Sequence, residues 1–227
     1  MSLLTPRRVE ADELLDEDDV PFDEMARSLR DLRRINFLGG GIRIYKRLFS
    51  QLVDDSKRSV RLLDLGTGTS DLPASLGTAR KLKTIGLDFK IDHLLYGRQN
   101  YHDHVLRVVG DAFKLPFRDQ SVDVVTSGHF FHHFSEAENL TILEESLRVS
   151  RLGVLVNDTR RHHIPLMVIR LLGFLRLVGP ITRLDGAASV RRAYTIAEAR
   201  RCATRTSAAG KQVVAMFPFR FGMLLRR

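Results

Sequence analysis

The sequence predicts an α/β fold on a mostly parallel β-sheet, closed by a C-terminal antiparallel hairpin. Three observations carry this. Short β-branched runs alternate with helix-period segments between residues 60 and 158, the pattern of right-handed βαβ units. The run "VRLLDLGTGTSDLP" sets an apolar strand directly before two closely spaced glycines. The last residues break the alternation, because "KQVVAMFPFRFGMLLRR" reads as two β-segments with Pro218 between them.

The elements follow in order. Residues 1–24 read as a flexible acidic tail. Residues 25–54 form an N-terminal helical cap. Met25, Leu29, Leu32 and Ile35 recur at helical spacing, the glycines at 39–41 stop that helix, and Ile42 to Val53 makes a second. The main domain spans 55–227. It opens with a strand at 60–65, a Gly-rich turn and a helix near 71–81. "KTIGLDFK" is a strand ending at Asp88, "DHLLYGRQNY" a helix, and "HVLRVVGDA" a strand ending near Gly110. "SVDVVTSGHFF" is a strand, "EAENLTILEESLRVS" a helix and "GVLVNDT" a strand. Residues of about 159–193 form an insertion too long for a structureless loop. One helix is expected in it, about Pro165 to Val178, with "RLDGAASVRRAY" as a return limb. "YTIAEARRCATR" is the last helix.

Composition narrows the class. A chain of 227 residues with 44% apolar content can bury one full core. Its single cysteine, Cys202, excludes a disulfide framework, and no zinc-binding spacing occurs, so no metal is expected. The N-terminus lacks the apolar stretch of a secretory signal, and no run reaches the roughly 18 apolar residues of a membrane span. A soluble cytoplasmic protein is expected. The net charge of +9 is uneven: residues 1–25 carry −7, and residues 159–227 carry +12. A basic half attracts nucleic acid, a membrane surface or an acidic substrate. Scattered arginines equally describe a solvated face.

The glycine turn narrows the ligand. In an open parallel sheet, ligands bind beyond the carboxyl ends of the strands at the switch point. Gly66 and Gly68 let the backbone come close to one. A dinucleotide fingerprint wants a third glycine where Asp71 stands, and a carboxylate there repels a pyrophosphate. No P-loop exists. A cationic ligand without phosphate fits better. Asp88, 24 residues after Asp64, can accept both hydroxyls of a ribose. Asp111 and Ala112 end the third strand, where an adenine edge can be read.

"LLDLGTGTSDLP", "GLDFK", "GDAFKLPFRDQSVDVVTSGHFFHHF" and "NDTRRHH" together resemble the ordered motifs of a class I S-adenosylmethionine-dependent methyltransferase. The branch is the small-molecule and quinone-biosynthesis one (methyltransferase type 11), and the likeness covers about residues 55–227. One departure is Ser70, where the family has a third glycine. The resemblance implies a Rossmann-like, seven-stranded sheet and S-adenosylmethionine as cofactor, with S-adenosylhomocysteine as product. Asp64, Gly66 and Gly68 would wrap the methionine part, and Asp88 would hold the ribose with Phe89 against the adenine. Asp111 and Ala112 would read the adenine, while Ser127 and Gly128 would face the amino group. Arg34 would meet the methionine carboxylate from the cap. Taken one at a time, each glycine is also a turn and each aspartate a helix cap.

Methyl transfer to a neutral hydroxyl needs a base near neutrality, and histidine supplies one. His132 and His133 follow the fourth strand, and His162 and His163 the fifth. "HHF" also reads as a packing feature of the fold. His162 is therefore the first choice as base and His133 the second. The insertion, "IPLMVIRLLGFLRLVG", reads as a lid over a hydrophobic acceptor such as a phenol, quinone or phenolic lipid. A second reading has the lid touching a membrane surface. An RNA methyltransferase is the alternative function, disfavoured because residues 1–50 contain no RNA-binding module.

Overall fold

The computed structural model describes residues 5–9, 13–16, 20–53, 59–76, 82–100 and 104–227. Two helices come first, α1 (Phe22–Leu38) and α2 (Gly41–Leu52). Then follow β1 (Val60–Leu65), α3 (Asp71–Ala74), β2 (Leu82–Asp88), α4 (Ile91–Asn100), β3 (Leu106–Val109) and β4 (Val122–Gly128). The second half contains α5 (Glu136–Val149), β5 (Ser150–Thr159), α6 (His163–Phe174), α7 (Pro180–Arg192), α8 (Ile196–Thr204), β6 (Gly210–Met216) and β7 (Arg220–Arg226).

The strands form one sheet in the order β3-β2-β1-β4-β5-β7-β6. The pairs from β3 to β5 are parallel, and β7 runs antiparallel between β5 and β6. This is the Rossmann-like, seven-stranded arrangement expected, terminal hairpin included. Order reverses between β1 and β4, so the chain leaves a crevice beyond their carboxyl ends.

Burial on both faces explains why the central strands read as apolar runs. Leu62, Val124, Leu155 and Leu224 pack on one face with Ile44, Leu48 and Phe49 of α2. Leu63, Val125, Val154 and Leu225 pack on the other with Leu143 and Leu147 of α5 and Ala199 of α8. Helices α5 and α8 are both started by capping boxes, Ser135 with Glu138 and Thr195 with Glu198. Each box satisfies N–H groups that the first turn leaves without partners.

Three expectations change. The insertion holds two helices, α6 and α7, rather than one. Most of the expected return limb at 183–194 belongs to α7, where Asp185 accepts the N–H groups of Leu14 and Leu15, both at 2.9 Å. The described part of the expected tail is docked: Glu13 is buried, and Leu14–Asp16 form a 3-10 turn. Arg8 donates to the carbonyls of Arg192 (2.8 Å) and Phe134 (2.9 Å) and lies over the Tyr194 ring. The helix near 71–81 is α3 with a short turn after it, and residues 77–81 lie outside the described part.

Candidate active site

A cavity of about 830 Å³ opens at the crevice. Its floor is the β1–α3 turn. Asp64 is buried at the end of β1 and accepts from Thr126 Oγ1 (2.7 Å), Thr67 Oγ1 (2.9 Å) and the Tyr45 hydroxyl (3.4 Å). Burial pushes its carboxyl up to about 7, against the pull of those hydroxyl donors; the nearby Asp88 charge adds to the rise.

Gly66 and Gly68 both take left-handed backbone angles, φ +59 and +47. Their needs differ. A Cβ at Gly66 would lie 2.3 Å from the Phe130 ring, so that glycine makes room for an aromatic wall. A Cβ at Gly68 would meet no described atom within 4 Å, so that glycine faces open cavity. Ser70, where a third glycine was missed, is also left-handed (φ 64) and is held by Thr67, whose carbonyl accepts its N–H at 2.7 Å. This non-glycine conformation costs of order 1–2 kcal/mol.

Asp88 ends β2 and accepts from the N–H groups of Gly68 (2.9 Å) and Lys90 (3.0 Å). It therefore ties the glycine turn to the neighbouring strand. Phe89 lies next to it and is exposed. Asp111 and Ala112 line the cavity beyond β3, and Asp111 accepts from the Phe113 N–H at 2.8 Å. Gly128 lines it at the end of β4. Ser127 does not: it sits one residue inside the strand, paired with Leu65 and Val156.

Two further expected residues lie elsewhere. Arg34 points to solvent and pairs with Asp31 at 3.7 Å. Its neighbour Arg33 lines the cavity instead and pairs with Asp71 at 3.0 Å, because one step along a helix turns a side chain by about 100°. His162, the first choice as base, is the N-cap of α6; its Nδ1 accepts from the Ile164 N–H at 3.1 Å and its ring packs on Phe219. It follows β5, one strand beyond the crevice, and is not part of the cavity wall.

His133 is part of that wall. It stands near Phe130 and Phe134, with its Nε2 3.8 Å from Glu13 Oε2. The neighbouring His132 is buried and serves as a clamp. Its N–H and Nδ1 both meet Asp158, at 2.9 Å, and its Nε2 lies 3.3 Å from Glu13 Oε1. Burial opposes its charge, but Asp158 and Glu13 raise its pKa to about 10, so it is an imidazolium between two carboxylates. Asp158 is correspondingly held well below the usual carboxylate range against its own burial. Ligating atoms of Glu13, His132 and His133 lie within 4.8 Å of one another. The two rings stack at 4.4 Å and 35° rather than aim at one point, which suits an ion-pair clamp better than a metal.

His129, which belongs to the same histidine cluster after the fourth strand but was not chosen as base, also lines the cavity. It is left-handed (φ 54), and burial followed by the Arg220 charge pushes its pKa well below the usual value. A non-glycine residue held in this conformation beside a cavity is a signal that only the backbone gives.

The polar set tests what the cavity can hold. Asp64, Asp71 and Asp88 converge on its floor. This acid-lined floor disfavours a pyrophosphate, whereas a ligand with a cationic centre and free ribose hydroxyls suits it.

Comparison with known proteins agrees. Residues 63–156 match the family described as "Methyltransferase domain". That match takes in the glycine turn and the ends of β1 to β4, the part of the chain that lines the cavity floor. It is 32% identical over 137 residues to a demethylmenaquinone methyltransferase of Roseiflexus sp. (56% of this chain, 55% of that one). It is 34% identical over 137 residues to one of Thermotoga maritima (60% and 58%). The chain thus spans little more than half the length of these relatives. Among solved structures, an S-adenosylmethionine-dependent methyltransferase from Aquifex aeolicus superposes with TM-score 0.56 at 20% identity, covering 85% of this chain and 96% of that one. Human N-acetylserotonin methyltransferase in complex with S-adenosylmethionine gives 0.63 at 15% identity, covering 91% and 56%. The acids and open glycine turn of this cavity suit a ligand of the S-adenosylmethionine kind, the one held by the human N-acetylserotonin methyltransferase structure.

Proposed function

We propose that this chain methylates a small aromatic or hydrophobic acceptor, a phenol, quinone or phenolic lipid, on oxygen or on a ring carbon. One observation carries the reading. A single cavity joins the acid and glycine floor to an aromatic wall, where Phe134 meets Phe130 and Phe113 at ring distances of 4.8 and 5.4 Å. A flat ring can stack there. The demethylmenaquinone names of the relatives support a quinone-like acceptor.

When bound, S-adenosylmethionine supplies an electrophilic methyl group on a sulfonium centre. The residues of this chain do the rest. Asp88 accepts the ribose hydroxyls, Asp111 and Ala112 face the adenine, and Asp64 with the Gly68 turn surrounds the methionine part. His133 takes a proton from an acceptor hydroxyl. Glu13 and Leu15 add an N-terminal side to the cavity lining, and transfer there rests mainly on positioning.

A labelled-methyl screen of phenols, quinones and RNA tests the acceptor. Label is expected in a ring compound; transfer only to RNA would contradict the reading.

Asp64 adds a pH prediction. Its folded pKa of about 7 lies above its ordinary 3.8. The neutral acid therefore favours the empty fold. That contribution is complete below about pH 4 and is lost as pH rises through 7. A cationic ligand favours the ionised form. Affinity for S-adenosylmethionine should therefore fall by up to about tenfold per pH unit below 7 and level off above it. Calorimetry across pH 5.5 to 8.5 measures this, and Asp64→Asn should flatten the profile.

A further inference from the structure

Helix α6 presents an apolar stripe to solvent. Ile164, Met167, Val168, Leu171, Phe174 and Leu175 are all exposed, Met167 by 67% and Phe174 by 80%. At about 100° per residue they occupy one arc of about 120°. The opposite side, Leu166 and Ile169, is buried. Gly186 of α7 lets α6 lie close, since a Cβ there would come within 2.7 Å of Ile169. An ordinary surface helix turns its apolar face inward. This one keeps a second apolar face outward.

Charge decides what covers it. Arg170, Arg176, Arg183 and Arg191 are exposed on and beside the α6–α7 pair. Between residues 159 and 197 the only acid is Asp185. It is buried and engaged by the Leu14 and Leu15 N–H groups. The acidic N-terminal segment meets α7 at Asp185 and Ser189, a different edge from the Arg183 and Gly186 edge that meets α6. A second copy of the chain would set arginine against arginine across a twofold axis. An anionic lipid surface accepts both the apolar stripe and its arginines.

We propose that α6 docks this protein on an anionic membrane surface, lying in the plane of the interface with Met167, Leu171 and Phe174 among the acyl chains. The helix lies on the bilayer and does not cross it: no helix among the described residues is long and apolar enough to span one. Helix α7 packs on α6 and also lines the cavity through Ser189 and Arg192. Docking therefore holds the cavity at a fixed place relative to the lipid. The inference rests on the stripe and its charges, and stands whether or not the acceptor is a quinone.

The chain has no tryptophan, so Phe174→Trp gives a single reporter. With vesicles of phosphatidylcholine and phosphatidylglycerol in equal parts, its emission should shift to the blue and be quenched by brominated acyl chains. Pure phosphatidylcholine should give a much weaker response, and added salt should reverse the binding as charges are screened. The double variant Met167→Glu/Leu171→Glu should partition at least about tenfold less while its thermal unfolding midpoint and S-adenosylmethionine affinity stay unchanged. Three results would each overturn the proposal: no binding to the anionic vesicles, equal binding by the double variant, or a solution dimer that the double variant splits in protein that ignores vesicles.

Discussion

Asp88→Ala is expected to weaken S-adenosylmethionine binding by roughly 10- to 150-fold, the equivalent of about 1.5–3 kcal/mol for lost hydrogen bonds to a charged acceptor. Two effects combine. The ribose hydroxyls lose their acceptor in the proposed assignment. The N–H of Gly68, now 2.9 Å from Asp88 Oδ2, loses the bond that fixes the glycine turn. Asp88→Asn separates them, because an amide oxygen still accepts one N–H but carries no charge. It should fall between the wild type and Asp88→Ala. Calorimetry on protein with a normal unfolding transition checks this. Unchanged affinity in Asp88→Ala would remove the ribose assignment.

His133→Gln is expected to lower the single-turnover rate with a hydroxyl acceptor by about 10²–10⁴, leaving cofactor affinity nearly intact. His162→Gln should behave like the wild type, because His162 caps α6 outside the cavity wall. The reverse pattern would restore His162. A loss confined to His129→Gln would move the role to that residue. Near wild-type rates in all three would leave positioning alone, or an acceptor ionised before it arrives.

What the sequence made legible was local and periodic. Strand ends, the glycine turn and the acids that follow strands can be read, because an open parallel sheet places them at one edge. Asp64, Gly66, Gly68, Asp88, Asp111, Ala112 and Gly128 all line the cavity for that reason. Helix phase was not legible at the cap. Arg33 and Arg34 differ by one residue, and only the packing of α1 against the domain selects which one faces inward. Helix α7 was hidden differently: it is packed by α1, α6 and the N-terminal segment, so "PITRLDGAASVRR" carries no single apolar stripe. Glu13 had no local signal, since it meets His132 from the far end of the chain in an acidic run that reads as a tail. The histidine pair at 162–163 misled because it also follows a strand. Strand β5 lies one place past the switch point, and strand order is a property of the sheet, not of the sequence around His162.

The most direct test of the central claim is a calorimetric titration of the full chain with S-adenosylmethionine at pH 8, beside a parallel titration with NAD. The account predicts saturable binding of S-adenosylmethionine at one site per chain, competed by S-adenosylhomocysteine and weakened by Asp88→Ala, with no comparable heat from NAD. An absence of saturable binding, or tighter binding of NAD, would contradict it.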